Sequence, residues 1–205
     1  MRTHPQKLRW GALVALVAAA ITAAGAPAGA VGQTPGLRVV RDPANRFTID
    51  VPATWHVQTS VKNPSVVAKA PAPPRELPDS VDVIVYDMAT PISPATCVHE
   101  AEQVMRFAIR SWTNVSEGPA TVAGLPAYTR TYTWRASTGD QRRSVQTCVT
   151  QGRRAFMMIG TTENTPAQVR ADVPVLLRVL ETLRVNPGAL PSPTPTAAPS
   201  GPHEH

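Results

Sequence analysis

Between residues 115 and 160 the chain carries four β-rich runs in close succession, near 115–122, 128–135, 142–150 and 154–160. Thr138-Gly139-Asp140 and Gln151-Gly152 separate the last three. Short turns of that composition join antiparallel neighbours, so these runs predict a meander. A sheet of this size must bury a face under something else, which excludes a purely helical fold. The covering elements are legible on either side. Ser93 suits a helix N-cap and Pro94 the first helical position. Val98, Ala101, Val104, Met105, Ala108 and Trp112 then recur at three and four, the spacing of a helix packed by one face. Thr165-Pro166-Ala167-Gln168 opens a second helix, with Val169, Val173, Leu176, Leu177, Leu180 and Leu183 along one side. Pro174 lies inside it, so a kink or a broken first turn is expected there.

Upstream, Phe47-Thr48-Ile49-Asp50-Val51 alternates with period two, Pro52-Ala53 turns, and Trp55-His56-Val57 extends again, which reads as an opening hairpin. Val66-Val67-Ala68 is a weak strand, and 71–78 is a proline-rich excursion. Residues 81–86 hold one charge, Asp82, and read as an inner strand. Strands, helix, strands, helix predicts an α+β domain over residues 37–186: an antiparallel sheet of about six to seven strands with helices packed on it.

Both ends of the chain differ in character from this domain. Residues 1–10 carry Arg2, Lys7 and Arg9; an apolar stretch from Leu13 to Ile21 follows, then small residues ending Ala28-Gly29-Ala30. That is the layout of a secretory signal peptide over residues 1–30, with Val31 as the mature N-terminus, and the rival reading is a retained anchor. No cysteine near the site allows lipid modification, and no arginine pair precedes the apolar stretch, so the general secretory route is expected. Cleavage removes three basic residues and lowers the net charge from +6 to +3. With the remaining cations dispersed, nucleic-acid binding is not expected. Residues 187–205 hold six prolines among small residues and read as a disordered tail; His203-Glu204-His205 within it is an incidental metal motif.

Cys97 falls in the first turn of the predicted central helix and Cys148 in the third of the four later strands. In an oxidising compartment the two most simply pair, and a bridge closing so long a loop contributes about 4 kcal/mol in the chain-entropy account. The alternative is a thiol enzyme, with Cys97 activated at a helix N-terminus and His99 close in sequence. His99-Glu100-Ala101-Glu102-Gln103 is not a zinc-binding H-E-x-x-H, and His56 is a lone histidine beside Trp55. The sequence contains no G-x-S-x-G, no phosphate-binding loop and no calcium loop, and no cofactor or metal is expected. Asn114-Val115-Ser116 matches a glycosylation sequon. Tyr128, Arg130, Tyr132 and Trp134 share one strand face, read as aromatics beneath a helix with Arg130 reaching out at the sheet edge; the other reading is a carbohydrate or peptide platform.

Phe47-Thr48-Ile49-Asp50-Val51-Pro52-Ala53-Thr54-Trp55 resembles the F-x-I-x-x-P-x-x-W opening of the PsbP-like domain family. Gly124-Leu125-Pro126-Ala127-Tyr128, the run Arg154-Ala155-Phe156-Met157-Met158-Ile159-Gly160, and the ending Leu180-Glu181-Thr182-Leu183-Arg184-Val185 are similar to the rest of that pattern, which covers most of 41–186. The resemblance implies an α/β/α sandwich shared by photosystem-assisting, DcrB-type and LpqN-type extracytoplasmic proteins. The matched motifs are scaffold motifs, so no functional residue transfers. The expected role is a secreted or envelope-associated, non-enzymatic module, monomeric, that binds an envelope protein or ligand. The alternatives are the Cys97/His99 enzyme and a peripheral membrane or wall contact through Arg142-Arg143 and Arg153-Arg154.

Overall fold

A computed structural model describes residues 36–73 and 77–189. The readings of residues 1–30 as a signal peptide and of His203–His205 therefore lie outside the described residues, as does nearly all of the 187–205 tail. The chain forms β1 (Leu37–Arg41), β2 (Phe47–Pro52), β3 (His56–Thr59), β4 (Val66–Lys69), β5 (Ser80–Asp87), α1 (Pro94–Ala108), β6 (Arg110–Val122), β7 (Leu125–Arg135), β8 (Gln141–Gln151), β9 (Arg154–Glu163), α2 (Pro166–Glu181) and β10 (Arg184–Val185).

The later strands form the expected meander. A seven-stranded antiparallel sheet runs in the order β3-β4-β5-β9-β8-β7-β6, and β5 lies inside it, between β4 and β9. The β6–β7 connection is a tight turn in which Ala123 and Gly124 both take positive φ, 49° and 80°; only that mirror-image geometry follows the twist of the flanking strands. Alternate residues of the central strands face opposite ways and carry two separate cores. Val81, Val83, Val85, Val145, Val149, Phe156 and Met158 meet α2, while Ile84, Cys148, Ala155 and Met157 meet α1.

Both helices begin as the sequence predicts. Ser93 Oγ accepts the Thr96 N–H at 3.0 Å and Thr165 Oγ1 accepts the Gln168 N–H at 3.3 Å, each with proline in the first turn. Three expectations are corrected. First, Phe47–Val51 and the strand at His56 do not form a hairpin. β2 pairs with β1 and β10 in a separate three-stranded sheet, and β3 pairs with β4 in the large one, so the chain changes sheet at Pro52–Trp55. Second, α1 stops at Ala108; Ile109 is extended, and Trp112 belongs to β6 rather than to the helix. Third, α2 continues through Pro174, and Leu177 is 37% exposed instead of sealed against the sheet. The small sheet shares the α2-side core, with Phe47 set edge-to-face on Phe156 at 6.0 Å, giving an α/β/α sandwich.

Candidate functional site

The two cysteines meet beneath the start of α1. Cys97 and Cys148 are joined by a disulfide with Cα atoms 6.4 Å apart, both sulfurs buried among Ile84, Val98, Ala101, Ala155 and Met157. The Cys97 thiol is thereby consumed, and a nucleophile at that position is not available in this state. His99 turns the other way: its Nε2 lies 3.4 Å from Glu117 Oε1, and its ring rests 5.7 Å from that of Tyr128. The residues the thiol reading combined are thus not brought together.

Arg130 is not at an edge. Its side chain is 1% exposed, held by Glu117 Oε2 on Nε at 2.6 Å and by Glu102 on Nη1. Burial works to raise the Glu117 carboxyl, but Arg130, His99 and Asn114 outweigh it and hold the group below the usual range. Tyr132 is buried and stacked on Trp112, ring centroids 3.8 Å apart, and Trp134 donates from Nε1 to Ser144 Oγ at 3.0 Å. This strand face is therefore largely committed to internal contacts. The arginine doublets likewise provide no free basic patch. Arg142 donates to the Leu77 and Pro78 carbonyls, both at 3.0 Å; Arg143 donates to Asn164 Oδ1 at 3.0 Å; Arg154 pairs with Asp87 at 2.6 Å. His56 stands exposed on β3 opposite Lys69.

A concave feature lies on the other face of the large sheet. A cavity of about 270 Å³ opens between the small sheet, the end of β4 and α2. Leu37, Pro52, Trp55, Ala70, Val175 and Leu176 supply an apolar wall, and Asp79, Asp172 and Arg178 are its charged groups. Asp79 immediately precedes β5, and Asp172 is on α2; the two carboxyls lie close enough to repel one another when charged, and Thr162 Oγ1 donates to Asp172 Oδ2 at 3.3 Å. Burial, and then the neighbouring Asp172, push the Asp79 carboxyl up to about 6, against the opposing pull of Thr162 and Arg142. The main-chain clamp of Arg142 on Leu77 and Pro78 fixes the segment that delivers Asp79. An apolar cavity with a few convergent polar groups, one of them with a displaced pKa, is the arrangement of a ligand site. Sequence reasoning missed this pair. The available signal was Asp172 itself, an acid four residues before Leu176 and three after Val169, on the stripe that packs inward.

Among the described residues no group of three or more His, Cys, Asp or Glu side chains is placed to hold a metal, and no helix is long and apolar enough to cross a membrane.

No family model matches the sequence, and no curated protein matches it. Solved structures do. Cyanobacterial PsbP (CyanoP) from Synechocystis sp. PCC 6803 superposes with a TM-score of 0.58 at 13% identity, covering 78% of this chain and 98% of that one. LpqN, involved in cell envelope biogenesis of Mycobacterium tuberculosis, gives 0.54 at 15% identity, covering 76% and 93%. The Saccharomyces cerevisiae Ran-binding protein Mog1p gives 0.55 at 12% identity, covering 74% and 96%. At such identities the likeness concerns the fold alone, and this chain has the PsbP-like fold.

Proposed function

We propose that this chain is an exported PsbP-like binding module, released by cleavage before Val31. Its ligand is an envelope component with an apolar body and a hydrogen-bond-donating head, seated in the cavity beside α2. The observation that carries this reading is a cavity with a largely apolar wall at which the Asp79 and Asp172 carboxyls meet, with Arg178 also in the lining. Such a pair accepts a donor from the ligand, while Trp55 and Leu176 supply contact area. The buried disulfide supports an oxidising compartment, because cytosolic thiols stay reduced. It also removes the thiol on which the enzymatic alternative depends. The structural neighbour involved in cell envelope biogenesis is consistent with an envelope role.

The test is native mass spectrometry of protein purified gently from its own envelope, beside an Ala70→Phe variant that fills the cavity. A small-molecule adduct on the parent that the variant lacks is the expected result. An adduct-free parent, or equal adducts on both, overturns the cavity assignment. An intact mass that begins at Met1 overturns export by cleavage, and turnover of ester, peptide, glycan or phosphate substrates would favour an enzyme.

A further inference from the structure

The most exposed large apolar side chain among the described residues is Phe107, at 94%. It lies in the last turn of α1, where the chain turns into β6 through extended Ile109 and through Ser111, whose φ of 54° is unusual for a residue with a side chain. Phe107 is absent from both packed cores. Its neighbours are basic. Arg110 opens β6 and stands directly opposite Arg135, at the end of β7, and both are exposed. Like charges facing each other across two strands cost stability unless something anionic lies between or above them. The described contacts offer no carboxylate for this pair: Arg135 donates from Nη1 to the Gly139 carbonyl at 3.1 Å, and the nearby Asp140 accepts from Thr138 at 2.6 Å. Arg106, one residue before Phe107, is paired with Glu102.

We propose that this α1–β6 corner docks on an anionic bilayer surface, with Phe107 entering the headgroup layer and Arg110 and Arg135 meeting lipid phosphates. An exposed ring followed three residues later by an exposed arginine, with a second arginine opposite that one, matches an anionic headgroup layer in both polarity and charge. Aromatic rings favour the boundary between headgroup and hydrocarbon. Arginines close to an anionic leaflet add attraction that salt screens. The corner stands at the end of α1, across the sheet from the α2 cavity, so this inference does not rest on the ligand reading.

The test is co-sedimentation of the secreted chain with phosphatidylglycerol-containing vesicles and with pure phosphatidylcholine vesicles, across a salt series. The parent binds the anionic vesicles only, and less as salt rises. Phe107→Ser and the double variant Arg110→Glu/Arg135→Glu each bind about ten-fold more weakly, while Phe107→Trp retains binding. The four substitutions all fall on exposed side chains, and unchanged thermal unfolding checks that the variants fold. Equal binding to both vesicle types, no binding by the parent, or either weakened variant behaving like the parent overturns the proposal. Binding that survives Phe107→Ser but disappears with the arginine pair identifies a general polyanion patch instead, and also overturns it.

Discussion

At the scale of single residues, Arg130 shows what alternation in a sequence conveys and where it stops. Period two places Tyr128, Arg130, Tyr132 and Trp134 on one face, and that assignment holds. Whether β7 lies at an edge or inside is a property of the whole sheet. The long β6 pairs outside it and brings Glu117 beside Arg130, so the guanidinium sits in the interior with two carboxylates around it. Losing the buried member of an ionic group costs up to about 3–5 kcal/mol, and less here because Glu102 keeps Arg106 and Glu117 keeps His99 and Asn114. Arg130→Met is therefore expected to lower the urea midpoint sharply. Arg106→Met makes the control: that guanidinium is 58% exposed and shares only Glu102, so its loss costs less than about 1 kcal/mol. Equal effects of the two substitutions would mean that Arg130 is solvated in solution.

At the scale of elements, the helices were readable in their caps and less so in their ends. The three-and-four spacing of apolar residues runs on to Trp112, but the chain leaves the helix at Ile109; Trp112 reaches Tyr132 from a strand instead. β10 is two residues long and gives no periodic signal at all. The two helices are also held differently. α1 buries only Cys97, Val98 and Ala101, so its tether to β8 is chiefly the disulfide. Reduction, or Cys97→Ser with Cys148→Ser, is expected to cost about 4 kcal/mol. It should speed amide exchange throughout α1 while α2 stays protected. α2 depends on close approach instead. A Cβ at Gly160 would lie 3.1 Å from Leu176 Cβ, tighter than ordinary contact, so Gly160→Ala pushes α2 off β9. A cost of about 1–3 kcal/mol is expected in chemical denaturation, and a neutral Gly160→Ala would show that α2 can shift freely.

At the scale of the whole molecule, element order gave an α+β antiparallel sheet with helices packed on it and the PsbP-like resemblance implied the α/β/α sandwich, but neither gave the pairing of β5 with β9 or the division into two sheets. Those are contacts between distant parts of the chain, and no local pattern encodes them. The same long-range assembly sets the pH response. Asp79 and Asp82, ordinarily near 3.8, are each pushed up to about 6, Asp79 by burial and then Asp172, Asp82 by burial. A carboxyl whose folded pKa exceeds its unfolded value binds its proton more tightly when folded. Its contribution favours the folded state most below about pH 4, and is lost as pH rises through about 6. Glu117 and Asp42 act in the opposite sense. Burial opposes the Asp42 shift too, but Arg46, bonded to it at 2.7 and 2.8 Å, prevails and holds the carboxyl low; such groups add stability that is lost as acid protonates them. Total stability mixes the two trends, and a difference between variants separates them. Asp79→Asn should be more stable than the parent at pH 7.5, by about 1 kcal/mol once solvent screening of this part-exposed group is allowed for. The gap should close at pH 4, where the parent carboxyl is protonated. Urea unfolding of both proteins at the two pH values decides it. A variant destabilised equally at both would mean that Asp79 serves through its hydrogen bonds alone, and that no ionised carboxyl is held at the cavity at a cost to the fold.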